Sequence, residues 1–304
     1  MISRRDILAG SAISAALFAG RAGAAVPVPV DAASAHGFIL SLGYAGTVRP
    51  LANTHNDGAL IAARLGALQF GTVDHLRDPD ETVFTQRLQA FMERVKPGDL
   101  AFLYYAGHGV QIRGVNYLLM ENGRTFISMQ SLIETLRGAT DTIVLLLDAC
   151  RTALDGAIPA REGRGLSVVS ATEAELLLMP KGDGRDELGF ELKAIAGGAP
   201  ARRIGSFELR GTGIKIVFAT DPQNVAADAA ELGDRNSPFA FAIARRLGER
   251  RSLDDVISLA TGDVVTATGG AQSPWAQGSI GRPIFLAGPP LNRNPAKVPF
   301  QVPG

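Results

Sequence analysis

Two continuous apolar runs limit the fold of this 304-residue chain more than any other feature of its sequence. The first covers residues 99–107 and leads into His108. The second covers residues 142–149 and leads into Cys150, the only cysteine. Both runs are rich in branched or aromatic side chains and bounded by turn residues, which is typical of strands buried on both faces of a parallel sheet. The sequence therefore predicts an α/β fold.

The two reactive residues follow these strands directly. Ligand and catalytic groups lie at the carboxyl ends of parallel strands, so we expect His108 and Cys150 to lie close together. A thiolate is a strong nucleophile, and an imidazole can accept its proton and later protonate a leaving amine. Glycines flank His108, and the backbone amides of Gly109 and Cys150 are candidates for an oxyanion hole. The alternative is a buried core thiol and a histidine that only ends a strand.

The motifs around these two residues resemble those of a known family. Residues 104–110, Tyr-Tyr-Ala-Gly-His-Gly-Val, and residues 147–151, Leu-Asp-Ala-Cys-Arg, resemble the catalytic motifs of caspase-like cysteine peptidases, particularly the bacterial metacaspase and orthocaspase branch. The resemblance covers most of residues 38–286. It implies a three-layer, Rossmann-like sandwich with a mostly parallel central sheet and helices on both faces. It also implies that His108 and Cys150 form a catalytic dyad.

The resemblance further implies which residues bind substrate. Caspases cut after aspartate, whereas metacaspase-like enzymes cut after arginine or lysine, using acidic residues at positions that match Asp57 and Asp148. Asp148 lies two residues before Cys150, so an extended strand directs both side chains to the same face. A carboxylate there would suit a substrate guanidinium. The alternatives are an Asp148 held by backbone amides and an Asp57 that is an ordinary acid of a first helical turn.

Two positions depart from the family pattern. The strand predicted over residues 37–42 is followed by Gly43 and Tyr44, whereas caspase-like proteins usually have a turn containing Gly-Asn at this point. Residues 56–58, Asn-Asp-Gly, resemble the Asn-Asp-Ala signature of metacaspases, with Gly58 in place of alanine.

The first 25 residues are predicted to be a secretory signal peptide. Arg4 and Arg5 precede an apolar stretch and the small residues 22–24, and paired arginines favour the twin-arginine route. The alternative is a membrane anchor, but the apolar segment is shorter than the ~20 residues that a span needs. We therefore expect a periplasmic or secreted protein, with residues 27–30 as an extended linker after the signal.

One caspase-like domain is predicted over residues 35–290. It would consist of a large portion, residues 35–155, a linker, residues 156–211, and a small portion, residues 212–290. Residues 291–304 form a C-terminal tail. The linker is rich in glycine, alanine and charged residues without sustained periodicity. Its candidate points for self-cleavage are Arg161, Arg164, Lys181, Arg185, Arg202, Arg203 and Arg210.

Local patterns predict several further elements. Residues 69–73 read as a strand, and Asp78 reads as the N-cap of a helix on which Val83 belongs to the apolar face. Ser128 and Ser237 read as N-caps of later helices. His55 and His75 are predicted to be surface or loop histidines.

Composition limits the partners. Thirty basic and thirty acidic residues cancel, so neither nucleic acid nor an anionic membrane surface is an expected partner, and no stable membrane insertion is expected after signal cleavage. The histidines lack ligand spacing, so no metal site and no required cofactor are predicted. Calcium activates many metacaspases, and the resemblance leaves that property open here. The expected function is a cysteine endopeptidase acting on proteins or peptides. The alternatives are a non-catalytic caspase-like binding module and a different cysteine hydrolase on a similar sheet.

Overall fold

The computed structural model describes eight ranges of the chain, and the elements named below lie within them: 30–45, 50–112, 115–122, 125–149, 152–154, 168–170, 213–221 and 235–291. The strands are β1 Ala35–Ser41, β2 Thr72–Arg77, β3 Leu100–Ala106, β4 Gly109–Ile112, β5 Val115–Leu119, β6 Thr125–Ser128, β7 Thr142–Asp148, β8 Thr152–Leu154, β9 Val168–Ser170, β10 Ile214–Phe218 and β11 Trp275–Ser279. The helices are α1 Thr54–Ala67, α2 Glu81–Arg94, α3 Met129–Leu136, α4 Pro238–Arg246 and α5 Leu253–Ala267.

The described strands form a central six-stranded sheet in the order β11-β10-β7-β3-β1-β2. Every neighbouring pair is parallel except β10 and β11, which are antiparallel. Strands β3 and β7, the two apolar runs of the sequence, lie side by side at the centre and are buried along their whole length. The predicted mostly parallel sheet is confirmed.

Helices cover both faces of this sheet, as alternating strand side chains require. Leu103 and Leu145 point to the face on which α2 and α3 pack. Phe102 and Leu146 point to the opposite face, which α1, α4 and α5 cover. The three-layer arrangement is therefore confirmed.

A second sheet, β8-β4-β5-β6-β9, extends from the carboxyl edge of the first among the described residues. The sequence predicts only its central hairpin, β4 and β5. Strand β3 continues into β4 through Gly107 and His108, and β8 follows β7 after three residues. His108 thus belongs to a short connection between the two sheets.

The start of β2 differs from the prediction. Helix α1 ends at Ala67, and Gln69 has a left-handed φ of 63°, with its N–H bonded to the Gly66 carbonyl. An extended strand cannot pass through that conformation. Strand β2 therefore begins at Thr72 and not at residue 69, so that His75 lies on the strand.

The start of α2 also differs from the prediction. Asp80, not Asp78, is the N-cap, and its carboxylate accepts a hydrogen bond of 2.7 Å from the Val83 N–H. Asp78 instead accepts a hydrogen bond of 2.7 Å from the Gly43 N–H. Val83 is 43% exposed and does not belong to the core-facing side of the helix.

The predicted serine caps are confirmed. Ser128 accepts a hydrogen bond from the Ser131 N–H, and Ser237 accepts one of 3.0 Å from the Ala240 N–H. Pro238 occupies the first position of α4, where its missing N–H costs no intrahelical bond.

Val30, the first described residue, belongs to the fold. This residue is buried, and its N–H donates to the Pro283 carbonyl at 3.1 Å beside a bridge to Ile284. The linker interpretation is therefore wrong for Val30. The predicted signal peptide lies outside the described residues. Within those residues, no helix combines the length and the apolar character that crossing a membrane requires.

Gly58 lies in the tightest part of the contact between α1 and the sheet. A Cβ at this position would approach His75 Nε2 to 2.5 Å and the Ser41 side chain to 3.0 Å. His75 Nε2 lies 2.9 Å from Ser41 Oγ, so the imidazole cannot turn away without losing this hydrogen bond. The glycine found in place of the family's alanine is thus matched to a histidine on β2.

We expect Gly58→Ala to destabilise the fold by about 1 kcal/mol, because overpacking outweighs the higher helix propensity of alanine. Gly66→Ala in the same helix is the matched control, since a Cβ there would meet no atom within 4 Å. That change should stabilise the fold by about 0.5–1 kcal/mol. Urea denaturation measures both variants.

The role of His75 is tested by repeating Gly58→Ala in a His75→Ala background, where most of its cost should disappear. If Gly58→Ala lowers the stability equally in both backgrounds, the alanine side chain clashes with a neighbour other than His75.

Candidate active site

His108 lies at the junction of the two sheets and is only 2% exposed. Its backbone N–H donates to Tyr44 Oη at 2.9 Å, and its carbonyl accepts from the Leu119 N–H at 3.0 Å. The Tyr44 ring packs on the imidazole with centroids 4.5 Å apart. The histidine of the first motif is therefore held from both its backbone and its ring.

Two buried tyrosine hydroxyls surround the backbone of His108. Tyr44 Oη and Tyr105 Oη lie 3.0 Å apart, and Tyr105 donates to the His108 carbonyl at 2.6 Å. Burial raises the pKa of both phenols above the usual value, so both hydroxyls keep their protons and remain donors. A Cβ on Gly107 would come within 2.7 Å of both oxygens, which explains the glycine that precedes the histidine.

Tyr44 itself has a left-handed backbone, with a φ of 54°. This region costs a residue other than glycine about 1–2 kcal/mol, and asparagine and aspartate tolerate it best. The turn at which the family usually has asparagine therefore keeps a conformation that suits asparagine, although tyrosine occupies it. The ring and hydroxyl contacts of Tyr44 offset this strain.

Cys150 lies outside the described residues, but described residues on both sides of it are paired with the chain around His108. Asp148, at the end of β7, pairs with Ala106, and Thr152, at the start of β8, pairs with Val110. The two ladders have the same register. In the sequence, His108 lies midway between Ala106 and Val110, and Cys150 lies midway between Asp148 and Thr152.

Gly109, the predicted oxyanion donor, lies at the start of β4. Since His108 accepts a ladder bond from Leu119, the next pair, Gly109 and Leu118, belongs to the non-hydrogen-bonded positions of the antiparallel ladder. The Gly109 N–H therefore faces away from β5, toward the side of β4 on which Thr152 begins β8.

The two acidic residues Asp57 and Asp148 are both fully buried, and one dipeptide contacts both. Asp57 Oδ1 accepts hydrogen bonds from the Ser237 N–H at 2.8 Å and from Asn236 Nδ2 at 3.0 Å. The Ser237 hydroxyl donates to Asp148 Oδ2, and the Tyr104 hydroxyl donates to the same oxygen at 2.8 Å. The structure thus brings together two carboxylates that are distant in the sequence.

Sequence reasoning missed three members of this cluster. Tyr104 belongs to the first motif but carried no separate signal, because an apolar strand position predicts only burial. Ser237 was predicted as an N-cap, and its second contact joins residues 89 positions apart. Neither that contact nor the one between Asn236 and Asp57 leaves a local pattern in the sequence.

His55 and His75 are half-buried and do not lie in loops. His55 lies on α1 and His75 on β2, and their ring nitrogens lie 3.1 and 2.9 Å from the buried hydroxyl of Ser41. His55 also contacts Asp78 at 2.8 Å, and burial lowers the pKa of His75. Since His55 lies two residues before Asp57, this cluster fixes the helical turn that carries the acid. Among the described residues, no group of three or more histidine, cysteine or acidic side chains is arranged to hold a metal ion.

Comparisons with known proteins agree with this architecture. The family model of the caspase domain matches residues 38–285, and the chain belongs to this family. The crystal structure of caspase-1 from Spodoptera frugiperda has the same fold, with a TM-score of 0.54, 13% identity and coverage of 88% of this chain and 95% of that chain. No curated protein matches the sequence. Membership of the family supports cysteine peptidase activity in general, with proteins or peptides as substrates.

Ser237 and Ser252 form a matched pair for testing the contact with Asp148. Each serine caps a helix, accepts from the N–H three residues on and donates to a carboxylate. The carboxylate is the buried Asp148 for Ser237 and the exposed Asp255 for Ser252. We expect Ser252→Ala to cost about 1 kcal/mol, the value of a cap alone.

Ser237→Ala should cost about 2–4 kcal/mol, because it also removes a donor from a buried carboxylate. Urea denaturation of both variants measures the difference. Equal losses would show that the bond between Ser237 and Asp148 contributes nothing to stability.

Proposed function

We propose that this protein is a cysteine endopeptidase in which Cys150 and His108 form the catalytic dyad. The observation that carries the proposal is the common register of the two ladders around these residues. In the sequence, Cys150 lies midway between Asp148 and Thr152, and His108 lies midway between their partners, Ala106 and Val110. This matching spacing supports a dyad of the two residues.

The reaction follows from these two groups. His108 takes the proton of the Cys150 thiol, and the thiolate attacks the scissile carbonyl to form a tetrahedral oxyanion. The oxyanion would accept hydrogen bonds from the amides of Gly109 and Cys150, and the orientation of the Gly109 N–H toward β8 supports this role. The imidazolium then protonates the departing amine. Water, activated by His108, hydrolyses the thioester and restores the thiol.

A thiol-directed reagent tests the dyad directly, since the chain contains one cysteine. We expect iodoacetamide to label Cys150 rapidly and His108→Ala to slow the labelling about 100-fold or more, because the thiolate loses its base. His36→Ala is the control, since His36 contacts Thr72 and Asp99 near the opposite end of the sheet. Slow labelling that does not depend on His108 would instead support a non-catalytic binding module.

For specificity we propose cleavage after arginine or lysine, with Asp57 and Asp148 as the acidic residues that attract the basic side chain. The amide and hydroxyl donors described above hold both carboxylates in defined orientations. A guanidinium is a suitable bidentate partner for a carboxylate.

Fluorogenic peptides ending in arginine, lysine or aspartate test this specificity. We expect cleavage after arginine and lysine, and a fall of about 10- to 100-fold for arginine peptides in Asp148→Asn, because a charge-assisted bond is lost while the hydroxyls of Tyr104 and Ser237 keep an acceptor. Asp254→Asn is the control, since this acid lies on the surface and contacts Lys215. Cleavage after aspartate, or an Asp148→Asn variant with full activity on arginine peptides, would refute the assignment.

The same preparations examine self-processing in the linker, residues 156–211, which we propose on the basis of its basic residues. Fragments that end at arginine or lysine should form in the wild type and be absent from Cys150→Ala. Equal fragmentation in both would identify a contaminating protease.

A further inference from the structure

The hydroxyl of Tyr44 replaces a backbone hydrogen bond of the second sheet. Residues His108 and Leu119 face each other at the start of the ladder between β4 and β5, and the Leu119 N–H donates to the His108 carbonyl at 3.0 Å. The complementary bond would run from the His108 N–H to the Leu119 carbonyl. Instead, Tyr44 Oη accepts from this N–H at 2.9 Å and donates to this carbonyl at 2.8 Å.

The ring of Tyr44 contacts the imidazole at the same time. The two ring centroids lie 4.5 Å apart with an interplanar angle of 38°, and Tyr44 has no exposed surface. The face of an aromatic ring attracts a cation within about 6 Å of its centroid, so this contact favours the protonated imidazole over the neutral one. Tyr44 therefore acts on the backbone and on the charge of His108 through two different parts of one side chain.

We propose that Tyr44 is a positioning residue for His108: its hydroxyl fixes the backbone of the histidine, and its ring orients the imidazole and favours the imidazolium that a thiolate requires. This inference rests on the proposed function, in which His108 is the base. It explains why the chain keeps a tyrosine in a left-handed conformation at the end of β1.

Tyr105 is a control that distinguishes positioning of the His108 imidazole from general stabilisation of the fold. It is as deeply buried as Tyr44, its hydroxyl belongs to the same cluster, and it donates to the carbonyl of His108. Its side chain packs into the core on the side of α2 and α3, and its described contact with His108 is to the backbone. Tyr105→Phe should therefore lower stability without changing the charge of the imidazole.

NMR measures the contact between the rings of Tyr44 and His108, and this measurement does not depend on catalytic activity. The chain has four histidines, and the ring protons of His108 are assigned by their loss in His108→Ala. We expect these protons to be shifted upfield by the Tyr44 ring in the wild type, in Tyr44→Phe and in Tyr105→Phe. The shift should be lost in Tyr44→Leu, a variant that keeps a bulky apolar side chain and the same left-handed penalty.

The catalytic consequence is measured by the rate of Cys150 labelling as a function of pH. In Tyr44→Leu the rate should fall about 10- to 100-fold, because a displaced imidazole is a poor base. The midpoint of its pH profile should rise by about half a unit, because the imidazolium is less favoured. Tyr44→Phe should keep the wild-type midpoint, and so should Tyr105→Phe.

The outcomes distinguish this inference from the proposed function. Slow labelling of the wild type that His108→Ala leaves unchanged overturns the dyad, whatever the NMR spectra show. Rapid, His108-dependent labelling with an unchanged rate and midpoint in Tyr44→Leu overturns the role of Tyr44 and leaves the dyad intact. If Tyr44→Leu does not fold, the wild type and Tyr44→Phe decide, since both keep the ring: a midpoint that moves in Tyr44→Phe, or ring protons of His108 that are not shifted upfield in the wild type, overturns the proposal.

Discussion

The register between β3 and β7 is the constraint on which the rest of the site depends. Both strands are buried along their whole length, so a slip of one residue would turn each apolar side chain to the wrong face of the sheet. The same register reappears in the ladder between β4 and β8, on the other side of the two connections. Burial of the central strands therefore fixes the register in which β3 and β7 enter this region of the site.

Buried polar side chains are concentrated near the junction of the two sheets. The hydroxyls of Tyr44 and Tyr105 form hydrogen bonds with backbone groups where the two sheets meet. Ser237 and Asn236 donate hydrogen bonds to two carboxylates at the carboxyl edge of the first sheet. Burying a hydrogen-bonded polar group reduces the stability of the fold only slightly, whereas burying an unpaired one reduces it by about 1–3 kcal/mol. The bonds therefore make a densely polar region compatible with burial. They also restrict each side chain to few orientations.

Much of the fold could be predicted from the sequence, since β3 and β7 are long apolar runs and Ser128 and Ser237 are explicit caps. The second sheet could not be predicted beyond one hairpin, because strands of three to five residues carry almost no periodic signal. The starts of β2 and α2 were placed wrongly for a related reason. Gln69 and Asp78 have left-handed backbones, and local composition does not show at which residue a chain adopts that conformation.

The candidate site divides in the same way. His108 and Cys150 are visible because each follows an apolar run, and Asp57 and Asp148 because they belong to motifs that resemble those of a family. Tyr44 was noticed only as a departure from that family's turn. Its contacts with His108 join residues 64 positions apart, and pairing over such a distance is set by the assembled sheets and not by local sequence.

The ladder between β7 and β10 has a consequence for the integrity of the chain. These strands are neighbours in the sheet, although the whole predicted linker separates them in the sequence. A break in the linker removes none of the bonds in this ladder, nor those that Asn236 and Ser237 make with Asp57 and Asp148. Cleavage would therefore yield two interlocked polypeptides whose association is noncovalent, with strands of both embedded in one sheet.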